Sequence, residues 1–553
     1  MPSVETASAI LESLDALGVT HVLYCPGSRS APFAYALEAG SFGGDARAVL
    51  DERGAGFAAV GLARTGGLPA VVVTSGTAVA ELAPAVLEAS HARLPLLLLT
   101  ADRPGELRGV GASQATDQAG FFGTHVRASI DLEPQEVAPS LVGHLARAVA
   151  AACGAPSGAP GPVQVNVAFR DPLTPVRPAC DCGDEAGASF VPRPTRVLAA
   201  PAVPVPWEDV VGPAAAGLIV AGEGASPRAR EWSAASGFPL LAEPASGAWS
   251  AGGVTPFEQT LVASSLGSEV DTVVVTGRPT LSRPIQALLA RPDVRVVVVD
   301  PHAPWVDISG NAAVVVADLE PAREPIRAAQ AEWASRVRDA AREAGERIDS
   351  LLASGSGRTM LDLARSVAAS TSGPLVLGAS NPVRAFDLAV PTLEGRAVHS
   401  NRGQAGIDGT IATAVGIALG SGYAGEASAS EGERVTAVIG DLTACHDASS
   451  LALASSVRAN LDIVVADDQG GGIFATLEHG RAASPEAYER WFGLAQSVDY
   501  EALAAAYGVA FARAETPAQL AQLLETGEAG PRLVHAPVER AAHLYPTVRD
   551  VLS

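Results

Sequence analysis

Runs of β-branched and leucine-rich residues alternate with alanine-rich stretches of helical period along the whole chain. This is the pattern of parallel strands buried on both faces and joined by helices. In the first block it predicts strands over HVLYCPG, RAVLDE, PAVVVTSG, LPLLLLTADRP and GPVQVNV. After Asp171 the period is lost in a Pro/Gly-rich connection, DPLTPVRPACDCGDEAGASFVPRPTR. The second block has GLIVAGEG, FPLLAEP, DTVVVTGRP, VRVVVVD and AAVVVAD; a charged helical stretch and an ASGSGR turn close it. The third has PLVLGAS, AVHSNRG, RVTAVIGD, LDIVVADD and RLVHAPV. The fold class expected is therefore α/β, with three doubly wound parallel-sheet domains over residues 1–178, 195–345 and 356–553.

At 553 residues the chain exceeds what one core organises, since domains run to roughly 150 residues each. The formal charge of −22 excludes nucleic acid as a natural partner and argues against anionic membrane surfaces. No apolar stretch reaches membrane-spanning length, and the N-terminal residues read as an amphipathic helix rather than a leader. Five scattered cysteines, with Cys180 and Cys182 at the wrong spacing for zinc, fit a reducing cytoplasm. The chain has no lysine, so every fixed positive side chain is an arginine, the better bidentate clamp for carboxylates.

The chemistry concentrates at strand ends. VTAVIGD delivers Asp441 and LDIVVADDQGGG delivers Asp468, 27 residues later, each at the end of an apolar run. Carboxyl ends of parallel strands line the ligand crevice, so two hard oxygen ligands meet there, as Mg²⁺ requires. The glycines that follow allow close approach of a diphosphate. The spacing by itself also fits two ordinary βα turns ending in Asp. In the first block RAVLDE ends on Glu52, just before a helix. Alone it reads as an acid complementing a helix dipole. Together with the aspartate pair it resembles the layout of thiamine-diphosphate enzymes. There a carboxylate of the first domain bonds N1′ of the aminopyrimidine, and the last domain anchors the diphosphate. That layout implies active sites between subunits, in a homodimer or homotetramer, with the central domain as a spacer.

Further strings narrow the resemblance: PGSRSAP, TSGTAVAELAPAVLEA, LTADRPGELRGVGASQATDQAGFF, GASNPVRAFD, SNRGQAGIDGTIATAVGIALG and GDLTACHD. Their order and spacing closely resemble the 2-succinyl-5-enolpyruvyl-6-hydroxy-3-cyclohexene-1-carboxylate synthase family of menaquinone biosynthesis. The resemblance implies thiamine diphosphate with Mg²⁺, or Mn²⁺ in its place. It also implies decarboxylation of 2-oxoglutarate and 1,4-addition of the resulting carbanion equivalent to isochorismate. Carried over by position, Glu52 is the activating glutamate. Asp441, Asp468 and the Gly470 carbonyl are metal ligands, and Gly440, Leu442, Thr443 and Ser380 contact the cofactor, which Ile407 bends. Substrate contacts fall on Ser28, Arg29, Arg103, Gln114, Arg283, Ser380, Arg384, Arg402 and Phe474.

A lone loop arginine usually makes a surface salt bridge. Arg29, Arg103, Arg384 and Arg402 differ because each follows an apolar run and so reaches the crevice. His446 reads as a helix-start histidine with a local hydrogen bond rather than a base. Three positions depart from the family pattern: Ser113 for an Asn, Ser282 for a basic residue, and Asp467-Asp468 for Asn-Asn. The alternatives are a thiamine carboligase of the acetolactate-synthase type, which needs fewer arginines, and a non-catalytic nucleotide-binding protein that kept the fold.

Overall fold

The computed structural model describes residues 3–134, 139–175, 195, 197–422, 434–527 and 529–553. The connection containing Cys180 and Cys182 lies outside them. Three sheets form, all with parallel pairing among the described residues. The first contains β1 (His21–Tyr24), β2 (Asp45–Ala48), β3 (Pro69–Val73), β4 (Leu96–Asp102), β5 (Ala128–Leu132) and β6 (Pro162–Ala168). The second contains β7 (Gly217–Ala221), β8 (Leu240–Ala242), β9 (Thr272–Thr276), β10 (Arg295–Val299) and β11 (Ala312–Val316). The third contains β12 (Leu375–Leu377), β13 (Val398–His399), β14 (Val435–Gly440), β15 (Leu461–Asp467), β16 (Ala510–Arg513) and β17 (Pro531–Pro537).

The outer sheets share one topology. Their orders are β2-β1-β3-β4-β6-β5 and β13-β12-β14-β15-β17-β16. In both, the order reverses direction beside the first strand, which opens a crevice at the carboxyl ends there. The edge strands β5 and β16 were not expected from the hydrophobic pattern. Their burial alternates or is incomplete, because an edge strand is covered less fully than a central one. The strand predicted over RAVLDE lies earlier, at Asp45–Ala48, and Glu52 opens the helix Glu52–Arg64. Asp51 is that helix's N-cap, accepting from the Arg53 and Gly54 N–H groups at 3.0 and 3.3 Å.

By contacts the chain forms two compact units. One comprises Met1–Ala200, Ile411–Glu431 and Ser449–Val457, and the other comprises Pro201–Thr410, Gly432–Ala448 and Arg458–Ser553. In the first unit the helix Thr410–Ser421 runs against Glu52–Arg64 with glycines at the crossing. A Cβ on Gly61 would overlap the Thr413 carbonyl, and one on Gly416 the Ala58 carbonyl, so only glycine permits this approach. Ser449 Oγ donates to Asp51 Oδ2 at 2.7 Å, fixing the turn that presents Glu52.

In the second unit one apolar core runs through the second and third sheets. It takes in Trp232, Val274 and Val297 with Phe386, Val438, Val464 and Val534. Removing a side chain such as the fully buried Trp232 would cost about 3–5 kcal/mol. The helix Ala328–Ala353 closes the second sheet, with Gln330 Oε1 accepting from the Gly217 N–H and Trp333 Nε1 donating to the Gly217 carbonyl. Among the described residues no helix is long and apolar enough to cross a membrane.

Candidate active site

At the carboxyl ends of the third sheet, β14 ends at Gly440 and Asp441 begins a helix; β15 ends one residue before Asp468. Asp441 is buried and its Oδ2 has no hydrogen-bond partner. Burial pushes its pKa up to about 6, against backbone hydrogen bonds from Leu442 and Gly470. Burial and the Asp441 charge push Asp468 up to about 7. Its neighbour Asp467 pairs with His535 at 2.9 Å, which holds that carboxyl below the usual range. Asp467 is thus satisfied by protein, whereas Asp441 Oδ2 has no partner and Asp468 faces the Asp441 charge.

The glycines at this turn are required. Gly470 has φ 125, and a Cβ there would overlap the Gly493 carbonyl. A Cβ on Gly472 would overlap Asp468 Oδ2. Further unpartnered buried polar atoms belong to the same end of the third domain: Asn381 Oδ1, Ser400 Oγ, Arg402 Nε, Thr410 Oγ1 and Tyr545 Oη. Native interiors leave few such groups unsatisfied, so their concentration here marks a place for a polar ligand. Among the described residues no group of three or more His, Cys, Asp or Glu could hold a metal. A cation held by Asp441 and Asp468 would therefore take its other ligands from backbone carbonyl, phosphate oxygens and water, as Mg²⁺ does. The donor set fits a magnesium diphosphate.

The arginines divide between the two units. In the second, Arg384 lies on the helix Asn381–Ala389 and donates to the Ala379 and Ser380 carbonyls at 3.1 and 2.7 Å. Burial, and then the neighbouring Arg402 charge, pushes its pKa down to about 10. Arg402 is itself buried and donates to Ala379 O at 3.3 Å and Thr280 Oγ1 at 3.1 Å. Behind this pair stand three buried acids, Glu243, Glu258 and Asp387. Glu243 accepts from the Leu281 N–H at 2.6 Å, and Gln259 donates to Asp387. Arg283 is exposed, 3.7 Å from Glu478. Ser282 is not directed at ligand: it caps the helix Arg283–Leu289 through the Ile285 N–H. Ile407 and Phe474 are half-buried, the latter 5.7 Å from the Phe492 ring. His446 is exposed, 3.9 Å from Asp408.

In the first unit, Glu52, Arg29, Ser75 and Arg103 follow β2, β1, β3 and β4, adjacent strands of one sheet. Burial raises the Glu52 pKa, assisted by Asp51 and Glu81 and opposed by its own backbone N–H. Arg29 donates to Phe169 O at 2.9 Å, beside the exposed Ser28. Arg103 donates to Ser75 Oγ and to Gln114 O at 2.6 Å, and Gln114 Nε2 donates to Ser75 O at 2.9 Å. Burial and then Arg29 lower the Arg103 pKa. Asp102 opposes this shift, and Arg29 Nη1 lies 4.0 Å from Asp171 Oδ1.

A family model described as the N-terminal TPP binding domain of thiamine pyrophosphate enzymes matches residues 4–121. The corresponding C-terminal TPP binding domain matches residues 384–536. A protein of Kineococcus radiotolerans named 2-succinyl-5-enolpyruvyl-6-hydroxy-3-cyclohexene-1-carboxylate synthase is 43% identical, over 96% of this chain and 95% of its own. The chain belongs to the 2-succinyl-5-enolpyruvyl-6-hydroxy-3-cyclohexene-1-carboxylate synthase family. Synthases of the same name from Renibacterium salmoninarum and a Nocardioides species are each 39% identical, over 100% and 97% of this chain and 97% and 95% of their own. As a member of this synthase family the chain is a thiamine-diphosphate-dependent enzyme, and both of its TPP-binding domains are present.

Several residues at the site carried no sequence signal as read above. Asn381, Glu243 and Arg540 follow strand runs and so were open to the strand-end rule; Tyr545 and Glu258 were not. The second sheet's loops reach the third sheet's strand-end residues. Arg278 donates to the carbonyls of Arg402 at 2.8 Å and Gly403 at 3.3 Å. A cavity of about 170 Å³ beside Trp207 and Phe238 lies at the amino ends of β7 and β8, away from the ligand-binding ends of the strands.

Proposed function

We propose that the enzyme decarboxylates 2-oxoglutarate and adds the resulting succinyl-semialdehyde carbanion equivalent to isochorismate. The product would be 2-succinyl-5-enolpyruvyl-6-hydroxy-3-cyclohexene-1-carboxylate, with CO₂ released. The observation that carries the substrate class is the Arg384–Arg402 pair, half-buried and buried, with Arg402 Nε unpartnered and the two charges acting on each other. Two neighbouring guanidiniums at a sheet's carboxyl end suit a dicarboxylate.

In this reading Asp441, Asp468 and the Gly470 carbonyl hold Mg²⁺, and Gly440, Leu442, Thr443 and Ser380 bound the cofactor beside Ile407. Thiamine diphosphate, when bound, supplies the nucleophilic carbon and the electron sink for decarboxylation. Glu52 holds a proton at N1′ of the aminopyrimidine, a task that its raised pKa favours. Arg384 and Arg402 orient one substrate's carboxylates, with Phe474 and Arg283 at the rim. Ser28, Arg29, Arg103 and Gln114 receive the other substrate. Closing these groups around the reactants excludes water, which strengthens each charge contact.

The domains would be pyrimidine-binding (1–178), central (195–345) and diphosphate-binding (356–553), in a cytoplasmic homodimer or homotetramer whose sites join two subunits. The test mixes purified protein with thiamine diphosphate, Mg²⁺ and 2-oxoglutarate, and follows CO₂ release and isochorismate consumption. Turnover requiring all components is expected. Decarboxylation of pyruvate but not 2-oxoglutarate would replace this reading with a carboligase of another substrate class, and no turnover with isochorismate would sink it.

A further inference from the structure

β17 lies beside β15, and three residues past its end Arg540 turns back over the Asp468 loop. Its guanidinium makes three contacts, two of them to that loop. Nε donates to the Asp468 carbonyl at 3.2 Å, Nη2 donates to the Gln469 carbonyl, and Nη1 pairs with Glu489 at 2.6 Å. The same guanidinium sits 6.0 Å from the centroid of Tyr488, whose hydroxyl donates to the Gly471 carbonyl at 2.9 Å. Three carbonyls of the turn are thus held by two side chains. The turn needs holding: Gln469 has φ 60, a left-handed conformation that costs a non-glycine residue energy.

Charge adds a second reason. A small pocket is lined by Asn381, Asp468, Gly472, Arg540 and Tyr545, and Arg540 is the cation next to Asp468 in that lining. The turn already carries Asp441 and Asp468, and a diphosphate would bring further negative charge. An amide at 468 would need no such compensation.

We propose that Arg540 is the positioning residue and counter-charge of the metal turn, energetically coupled to Asp468 in binding the cofactor's magnesium diphosphate. The proposal rests on the assignment of Asp441 and Asp468 as metal ligands. A planar fork is needed to meet two carbonyls and a carboxylate at once, so lysine would keep the charge and lose part of the hold.

The experiment is a double-mutant cycle on cofactor affinity, read by calorimetric titration of thiamine diphosphate into metal-saturated protein, with no turnover required. Arg540→Gln is expected to weaken binding about tenfold with Asp468 in place. In the Asp468→Asn background the same change should cost at least about threefold less, which is the coupling. Arg540→Lys should recover part of the loss only where Asp468 is present, and it serves in the cycle if the glutamine variant fails to fold. A purely architectural arginine would give equal losses in both backgrounds, which would overturn the proposal, as would no loss at all. Wild-type protein that binds no cofactor in a Mg²⁺-dependent way would overturn the metal assignment along with it. Normal binding that Asp441→Ala abolishes, without coupling, overturns this proposal alone.

Discussion

Arg278 Nη2 donates to the main-chain carbonyl of Arg402 at 2.8 Å, so a side chain following β9 fixes the backbone that carries a proposed substrate arginine. Arg278 is itself oriented by Glu223 at 2.6 Å. Replacing Arg278 with Met should leave Arg402 present but less well placed. The KM for 2-oxoglutarate should rise about tenfold while kcat changes less, because the lost contact acts in binding. Steady-state kinetics decide it: equal falls in kcat and kcat/KM would move Arg278 into the chemical step.

Glu52→Gln keeps the size and the helix start, because Asp51 supplies the cap. It removes the proton that the carboxyl would share with the aminopyrimidine. Exchange of the bound cofactor's C2 proton, followed by NMR in deuterated buffer, should slow at least about 10²-fold. Mg²⁺-dependent cofactor binding should survive. An unchanged exchange rate would take Glu52 out of this role.

Asp468 gives the metal turn one carboxylate more than an asparagine would. Mg²⁺ affinity should be higher in the wild type than in Asp468→Asn, by roughly tenfold, since ligand charge tunes hard-cation affinity. Chelation should release bound cofactor from both. Equal affinities would refute a tightening of the metal site by the second carboxylate.

Glu243 is fully buried, and burial pushes its pKa up to about 8 from an ordinary 4.5, with Asp387 and Glu223 adding to the rise and Leu281 N–H and Arg402 opposing it. The unfolded chain releases this proton near its ordinary pKa, whereas the folded protein keeps it to about 8. The stability it contributes is therefore complete below the unfolded value and falls as pH rises through the folded one. A glutamine there still accepts from the Leu281 N–H and needs no proton. The stability of Glu243→Gln relative to wild type should rise between about pH 5 and pH 8, by up to about 1.4 kcal/mol per pH unit. Thermal unfolding across that range measures it, and a pH-independent difference would show that the carboxyl ionises in the fold as it does in the open chain.

Much of this was legible because strand ends are a local property. The apolar runs before Asp441, Asp468, Arg29, Arg103 and Arg402 place those residues at the crevice without knowledge of packing. Edge strands β5 and β16 escaped because partial burial erases the hydrophobic signal. Ser282 departs from a basic residue, and the structure gives it a task of its own as a helix cap.

By itself the sequence determined the three parallel sheets, the aspartate pair, Glu52 and the arginine inventory, since each depends on residue type and short-range period. Only the tertiary structure shows that Asp467, the neighbour of Asp468, is satisfied by His535, a partner distant in sequence. It also decided that Arg278 bonds the Arg402 carbonyl and that Arg540 bonds the Asp468 carbonyl. Those contacts join residues more than 70 positions apart, and no local pattern encodes which distant side chain a given carbonyl will meet.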